Sequence, residues 1–269
     1  MPGSGAAAVK LLMIGDIVGR PGRQMVARHL AGLVDRHLVD LVVANAENAA
    51  AGFGVTADVV DELLGMGVDV LTTGNHVWDK KEVLPLLDQE DCLLRPANYP
   101  PGAPGRGWRV YRTSAGLPVA VVNLEGRVFM HSLDCPFRAA DAILAELAGS
   151  ARVVLVDFHA ETTSEKGAMG SYLDGRVSAV LGTHTHVQTA DERVLPGGTA
   201  FISDVGMTGS RDSVIGIRKE LSVERFLTQV PVRFEVARKE PMLCGVVVTI
   251  DESTGQAEGI ERVLLIDKE

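Results

Sequence analysis

The chain has 269 residues, and 26 Lys+Arg against 35 Asp+Glu give a formal net charge of −9, which argues against a protein that tracks long nucleic acid through its phosphates. With 46% hydrophobic and 23% charged residues it has the composition of a folded globular protein, which excludes disorder and collagen-like repeats. Residues 9–14 predict a first strand, and the stretch before them has neither a basic segment nor an adequate apolar one, so no signal peptide is expected. Pro21 opens a helix in which Val26, Ala27, Leu30, Leu33 and Val34 recur at helical spacing, and 39–43 predicts a second strand. Thr56 is a candidate N-cap for a helix through Leu64 that Gly65-Met66-Gly67 closes, and 68–71 predicts a third strand. Such a βαβ rhythm belongs to a largely parallel, buried sheet.

The stretch 95–105 is too rich in Pro and Gly to sustain a helix and predicts a loop. Residues 109–111 and 118–123 predict an antiparallel pair, 136–147 a helix, 153–158 and 177–181 further strands, and 193–204 and 245–266 two hairpins. We expect one α/β domain over 1–269: a two-sheet sandwich flanked by helices, with the N-terminal βαβ strands in one sheet and later strands contributing to the second. The longest apolar runs are strand-sized, far below the roughly 18 residues that span a bilayer. Cys92, Cys135 and Cys244 form no C-x-x-C pair, which speaks against a disulfide framework or a thiolate zinc site and predicts a cytoplasmic protein.

Ligands of open α/β sheets sit beyond the carboxyl ends of the strands. Here those ends carry Asp16, Glu47 with Asn48, Asn75 with His76, His159, and His184 with His186. Each alone reads more easily as a turn or packing residue. Together they form an oxygen and imidazole donor set without thiolate, suited to Mn, Fe or Zn. They exceed what one catalytic ion with open positions can use, so two ions are expected, with Glu47 the best-placed bridge. His184 and His186 are separated by one residue, which in an extended segment would point both rings the same way, toward neighbouring ions. His76 reads either as a proton donor to a leaving group or as a ring packed on Trp78; Asp79 and Glu161 read as partners of an imidazole or as solvated acids.

In order and spread, these blocks resemble those of the calcineurin-like metallophosphoesterases. The longer stretches Thr72-Thr73-Gly74-Asn75-His76-Val77-Trp78-Asp79-Lys80-Lys81, Arg95-Pro96-Ala97-Asn98-Tyr99-Pro100 and Ser203-Asp204-Val205-Gly206-Met207-Thr208-Gly209 resemble one bacterial branch, the YmdB-like phosphodiesterases. The wider superfamily has Asp-x-His in its first block and a bridging Asp in its second. This chain has Asp16-Ile17-Val18 and Glu47-Asn48, departures it shares with that branch. The resemblance implies a four-layer αββα fold, with Asp16, Glu47, Asn48 and His186 around one ion, Glu47, Asn75, His159 and His184 around the other, and His76 protonating the leaving group. It further implies iron or manganese, with zinc or magnesium as alternatives, and hydrolysis of small cyclic nucleotides, 2′,3′-cyclic or cAMP-like. Alternatives are a phosphomonoesterase acting on a nucleotide or phosphoprotein, and a non-catalytic nucleotide-sensing module. The expected partner is a small phosphoester, with no long nucleic acid and no membrane; a homo-oligomer is left open.

Overall fold

The computed structural model describes residues 8–267, so the signal-peptide expectation rests in part on residues outside that range. In chain order the elements are β1 (Ala8–Ile14), β2 (Asp16–Ile17), α1 (Gly19–His37), β3 (Leu41–Asn45), α2 (Ala57–Gly65), β4 (Val70–Thr72), α3 (Val83–Gln89), β5 (Trp108–Arg112), β6 (Pro118–Glu125) and α4 (Pro136–Leu147). They continue with β7 (Val153–His159), α5 (Thr163–Leu173), β8 (Ala179–Thr183), β9 (Arg193–Val194), β10 (Ala200–Ile202), β11 (Met207–Ser210), α6 (Lys219–Thr228), β12 (Pro241–Asp251) and β13 (Ala257–Ile266).

One sheet has seven strands, in the order β2-β11-β12-β1-β3-β4 with β13 also paired to β12. The other has six, β5-β6-β7-β8-β10-β9. The later strands therefore do not all join the second sheet, because β1 has a free side opposite β3 and the antiparallel β12 takes it from Ala8↔Asp251 to Ile14↔Gly245. The hairpins at β9–β10 and β12–β13 form as read. The second strand starts later than predicted, because α1 closes on a left-handed Leu38 and Val39 N–H still bonds to Val34 O. Thr56 caps α2 through Val59 N–H, a contact worth about 1 kcal/mol.

Alternation within each strand builds three apolar layers. Leu11, Met13, Val43, Val121, Leu155 and Leu181 meet between the sheets. Leu12, Ile14 and Val42 pack outward on α1 and α2, and Val122, Val156 and Phe158 on α4 and α5, which gives the αββα order. All five residues of β3 are buried, as a strand covered on both faces must be. Helix α5 carries no readable apolar stripe because its buried face includes Glu165 and Lys166.

A polar seam joins the two sheets at one end of this sandwich. The Asp157 carboxylate on β7 accepts from Thr72 Oγ1 (2.5 Å) and Asn45 Nδ2 (3.0 Å) of the first sheet and from Thr183 Oγ1 (2.7 Å) of the second. Asn123 Oδ1 accepts from Thr73 N–H at 3.1 Å. Buried polar groups cost free energy unless paired, so this seam fixes how the two sheets slide against each other. The carboxyl ends of β3 and β4 are thereby aligned with those of β7 and β8.

Candidate metal centre

Loops from both sheets converge over the seam. Carboxylate oxygen and ring nitrogen atoms of Glu47, His159 and His184 lie within 4.8 Å of one another, as do those of Asp16, Glu47 and His186. Glu47 belongs to both groups. Its Oε1 lies 3.1 Å from His159 Nε2, which is also 3.0 Å from Asn75 Oδ1 and 3.0 Å from His184 Nδ1. Asn48 holds its own loop by donating to Gly52 O at 3.1 Å, and its Oδ1 is buried without a hydrogen-bond partner. Gly74 is required by close approach: a Cβ there would lie 2.2 Å from His159 Cδ2 and 2.4 Å from Glu47 Oε2.

Each ring has one nitrogen committed outside the centre, which assigns the lone pair that faces in. His159 Nδ1 lies 2.8 Å from Thr183 Oγ1, whose hydroxyl proton goes to Asp157. His184 Nε2 lies 3.1 Å from the Glu161 carboxylate. His186 Nδ1 donates to Ile215 O at 2.9 Å, and its Nε2 faces Asp16 Oδ1 at 4.0 Å. Glu161 is thus an imidazole partner, and so is Asp79, whose Oδ2 lies 2.8 Å from His76 Nδ1. His76 packs edge-on against Phe53 at 5.1 Å. The alternative of a ring packed on Trp78 gives way to this contact, since Trp78 turns instead to Tyr99.

The extended reading of His184 and His186 is corrected. Both have positive φ, 102° and 66°, so the rings are aimed by left-handed turns and not by strand alternation. What holds that strained loop is Asp204, whose Oδ2 accepts from Thr185 N–H (3.0 Å), Thr185 Oγ1 (2.7 Å) and the buried Lys166 Nζ (2.7 Å). The sequence places Asp157 and Thr183 in polar clusters at strand ends without giving them a role, offers Asp204 only within a family stretch, and does not single out Lys166. The segment of Lys166 has no apolar period, so nothing in its sequence marks the lysine as buried.

The electrostatics are those of a site built for positive charge. Burial pushes the Asp16 carboxyl up to about 6, although His186 and His159 oppose it. Burial acts the same way on Glu47, but the charge and hydrogen bond of His159 hold its carboxyl down at about 2. Burial disfavours the His159 imidazolium, yet Glu47 and Asp16 raise it to about 9. Burial and the neighbouring His159 push His184 down to about 3. Asp16 Oδ1 and Asn48 Oδ1 are buried without any hydrogen-bond partner. Orphaned acceptors and a shared carboxylate beside these imidazoles fit a cation, which would take the place of the proton on His159.

Set beside known proteins, this geometry has close counterparts. Residues 12–263 match the YmdB-like protein family. The chain belongs to it. A relative from Bacillus subtilis strain 168, named 2′,3′-cyclic-nucleotide 2′-phosphodiesterase, is 49% identical over 259 residues, 96% of this chain and 98% of that protein. A solved structure of a hypothetical protein from Thermus thermophilus superposes with a TM-score of 0.91 at 43% identity, covering 97% of this chain and 100% of that one. A structure described as a novel phosphatase from Mycoplasma pneumoniae gives 0.91 at 33% identity, covering 98% and 96%. The YmdB-like assignment carries the metallophosphoesterase sandwich with it, and the two sheets and flanking helices are that fold.

Proposed function

We propose that this single domain of 269 residues is a two-metal phosphodiesterase acting on small cyclic nucleotides, the 2′,3′-cyclic type foremost. The observation that carries the reading is the pair of donor groups sharing Glu47, with His76 beside them. Asp16, Glu47, Asn48 and His186 would hold one ion and Glu47, Asn75, His159 and His184 the other. Bound ions would supply Lewis-acid stabilisation of the phosphate oxygens and a more acidic water. Oxygen and imidazole donors without thiolate favour iron or manganese. The free cysteines favour the cytoplasm, and no helix among the described residues is long and apolar enough to cross a membrane.

The chain's own groups do the rest. Glu47 Oε2 accepts from His76 N–H at 3.2 Å, which ties the proton donor to the carboxylate common to both donor groups. Asp79 orients the His76 ring and holds the proton on Nδ1, leaving Nε2 to exchange a proton with the departing oxygen. Thr183 and Asp157 fix the His159 tautomer, and Glu161 that of His184.

The phosphatase named among the relatives favours a second reading, a phosphomonoesterase on the same centre. Metal analysis of the purified protein, with turnover of 2′,3′-cyclic nucleotides against nucleoside monophosphates, separates the two. Two ions per chain and preference for the cyclic diester support the proposal. Hydrolysis confined to monoesters overturns it in favour of the phosphatase, and nucleotide binding without turnover of either ester leaves a sensor.

A further inference from the structure

The loop that follows β6 enters neither donor group, yet it starts beside them. Glu125, the last residue of β6, stands in register with His159, and Gly126 N–H bonds to His159 O at 2.9 Å. A Cβ at Gly126 would lie 2.6 Å from Ala160 Cβ and 2.7 Å from Glu165 Oε2, so the loop leaves the strand pressed onto the backbone next to the metal centre. It is then clamped. The buried carboxylate of Glu165 accepts from Arg127 N–H at 3.0 and 3.1 Å and from Val128 N–H at 3.1 Å. The clamp ends at Phe129, held at a φ of 61° with 89% of its surface exposed. A bulky residue in the left-handed region costs conformational energy, and here the energy spent displays an aromatic face to solvent. On either side the loop presents a cation, Arg127, and an imidazole, His131, whose Nδ1 lies 3.2 Å from the buried Glu125 carboxylate.

The geometry points to Phe129 as the platform on which the base of the substrate stacks, with Arg127 and His131 flanking the sugar-phosphate. This rests on the cyclic-nucleotide reading and adds to it the group that distinguishes a nucleotide from a bare cyclic phosphate. Base–aromatic stacking lowers the free energy by about 1–3 kcal/mol, so losing the ring is a roughly five- to hundredfold effect.

The test compares Phe129→Ala and Phe129→Trp with the wild-type, metal-loaded protein. The substrates are adenosine 2′,3′-cyclic phosphate and methyl riboside 2′,3′-cyclic phosphate, which has no base. Calorimetric binding of both is measured alongside turnover. Phe129→Ala should raise KM and Kd for the adenosine compound by roughly tenfold or more and leave the base-free compound and the ion content unchanged, while Phe129→Trp restores binding. Equal effects on both compounds, or none, overturn the inference. So does a fall in native mass in Phe129→Ala with unchanged adenosine binding, which would make the ring a contact between copies. Wild-type protein that binds the nucleotide through Phe129 but turns over neither compound defeats the phosphodiesterase reading and leaves the platform standing.

Discussion

The two halves of the proposed metal centre are built differently. Around His159 the two candidate imidazole ligands are buttressed from behind: Thr183 and Asp157 hold His159, Glu161 holds His184, and Asp157 is tied to Asn45 and Thr72 of the opposite sheet. Around Asp16 the support is thinner. Asp16 Oδ1 and Asn48 Oδ1 have no hydrogen-bond partner, and the His186 ring is held by one backbone carbonyl. The first half is preorganised by the protein, whereas the second has buried acceptors that a bound cation would satisfy. One ion should therefore be bound tightly and the other loosely.

Glu47 belongs to both halves, so Glu47→Gln should have the largest effect, with loss of both ions by metal analysis and of turnover to background. Retention of full metal content would break the shared-carboxylate assignment. His76 belongs to neither half. His76→Ala should keep the metal and substrate binding while lowering kcat roughly 10²–10⁴-fold on a nucleotide, and less on a nitrophenyl diester whose phenolate leaves without a proton. Equal losses on both would assign His76 to phosphate-oxygen stabilisation instead.

Two smaller effects sharpen the contrast between the halves. Thr183→Val removes the buttress of His159 and should weaken the tighter ion by roughly 10–100-fold, measured by chelator competition, while leaving the weaker ion's affinity nearly unchanged. Equal weakening of both would mean that the halves are not independent. In the metal-stripped protein, His159 has its folded pKa raised to about 9 from an ordinary value of 6.5. The folded state then binds more protons than the unfolded one, so this stabilisation is complete below pH 6.5 and is lost as pH rises toward 9. The Tm of the stripped protein should fall across that window, and His159→Gln should flatten the fall. A Tm that rises over the same range in both proteins would contradict the buried His159–Glu47 pair.

The strands and most of the donor set are legible in the amino-acid sequence, because both are local signals. A strand buried on both faces must be an uninterrupted apolar run, and Asp16, Glu47, Asn75, His159 and His184 follow such runs directly. Helices packed through apolar stripes, α1, α2 and α4, were legible for the same reason; α5, buried through Glu165 and Lys166, and the largely exposed α6 were not. How the donors are aimed is settled by tertiary contacts. The turns of His184 and His186 are set by Asp204 and Lys166, and the tautomer of His159 by Thr183 and Asp157. The closing of the first sheet by β12 beside β1 is settled in the same way. These are contacts between residues distant along the chain, and no periodicity or spacing records them, since the free energy that selects each one arises only when burial leaves a polar group or a strand edge needing a partner.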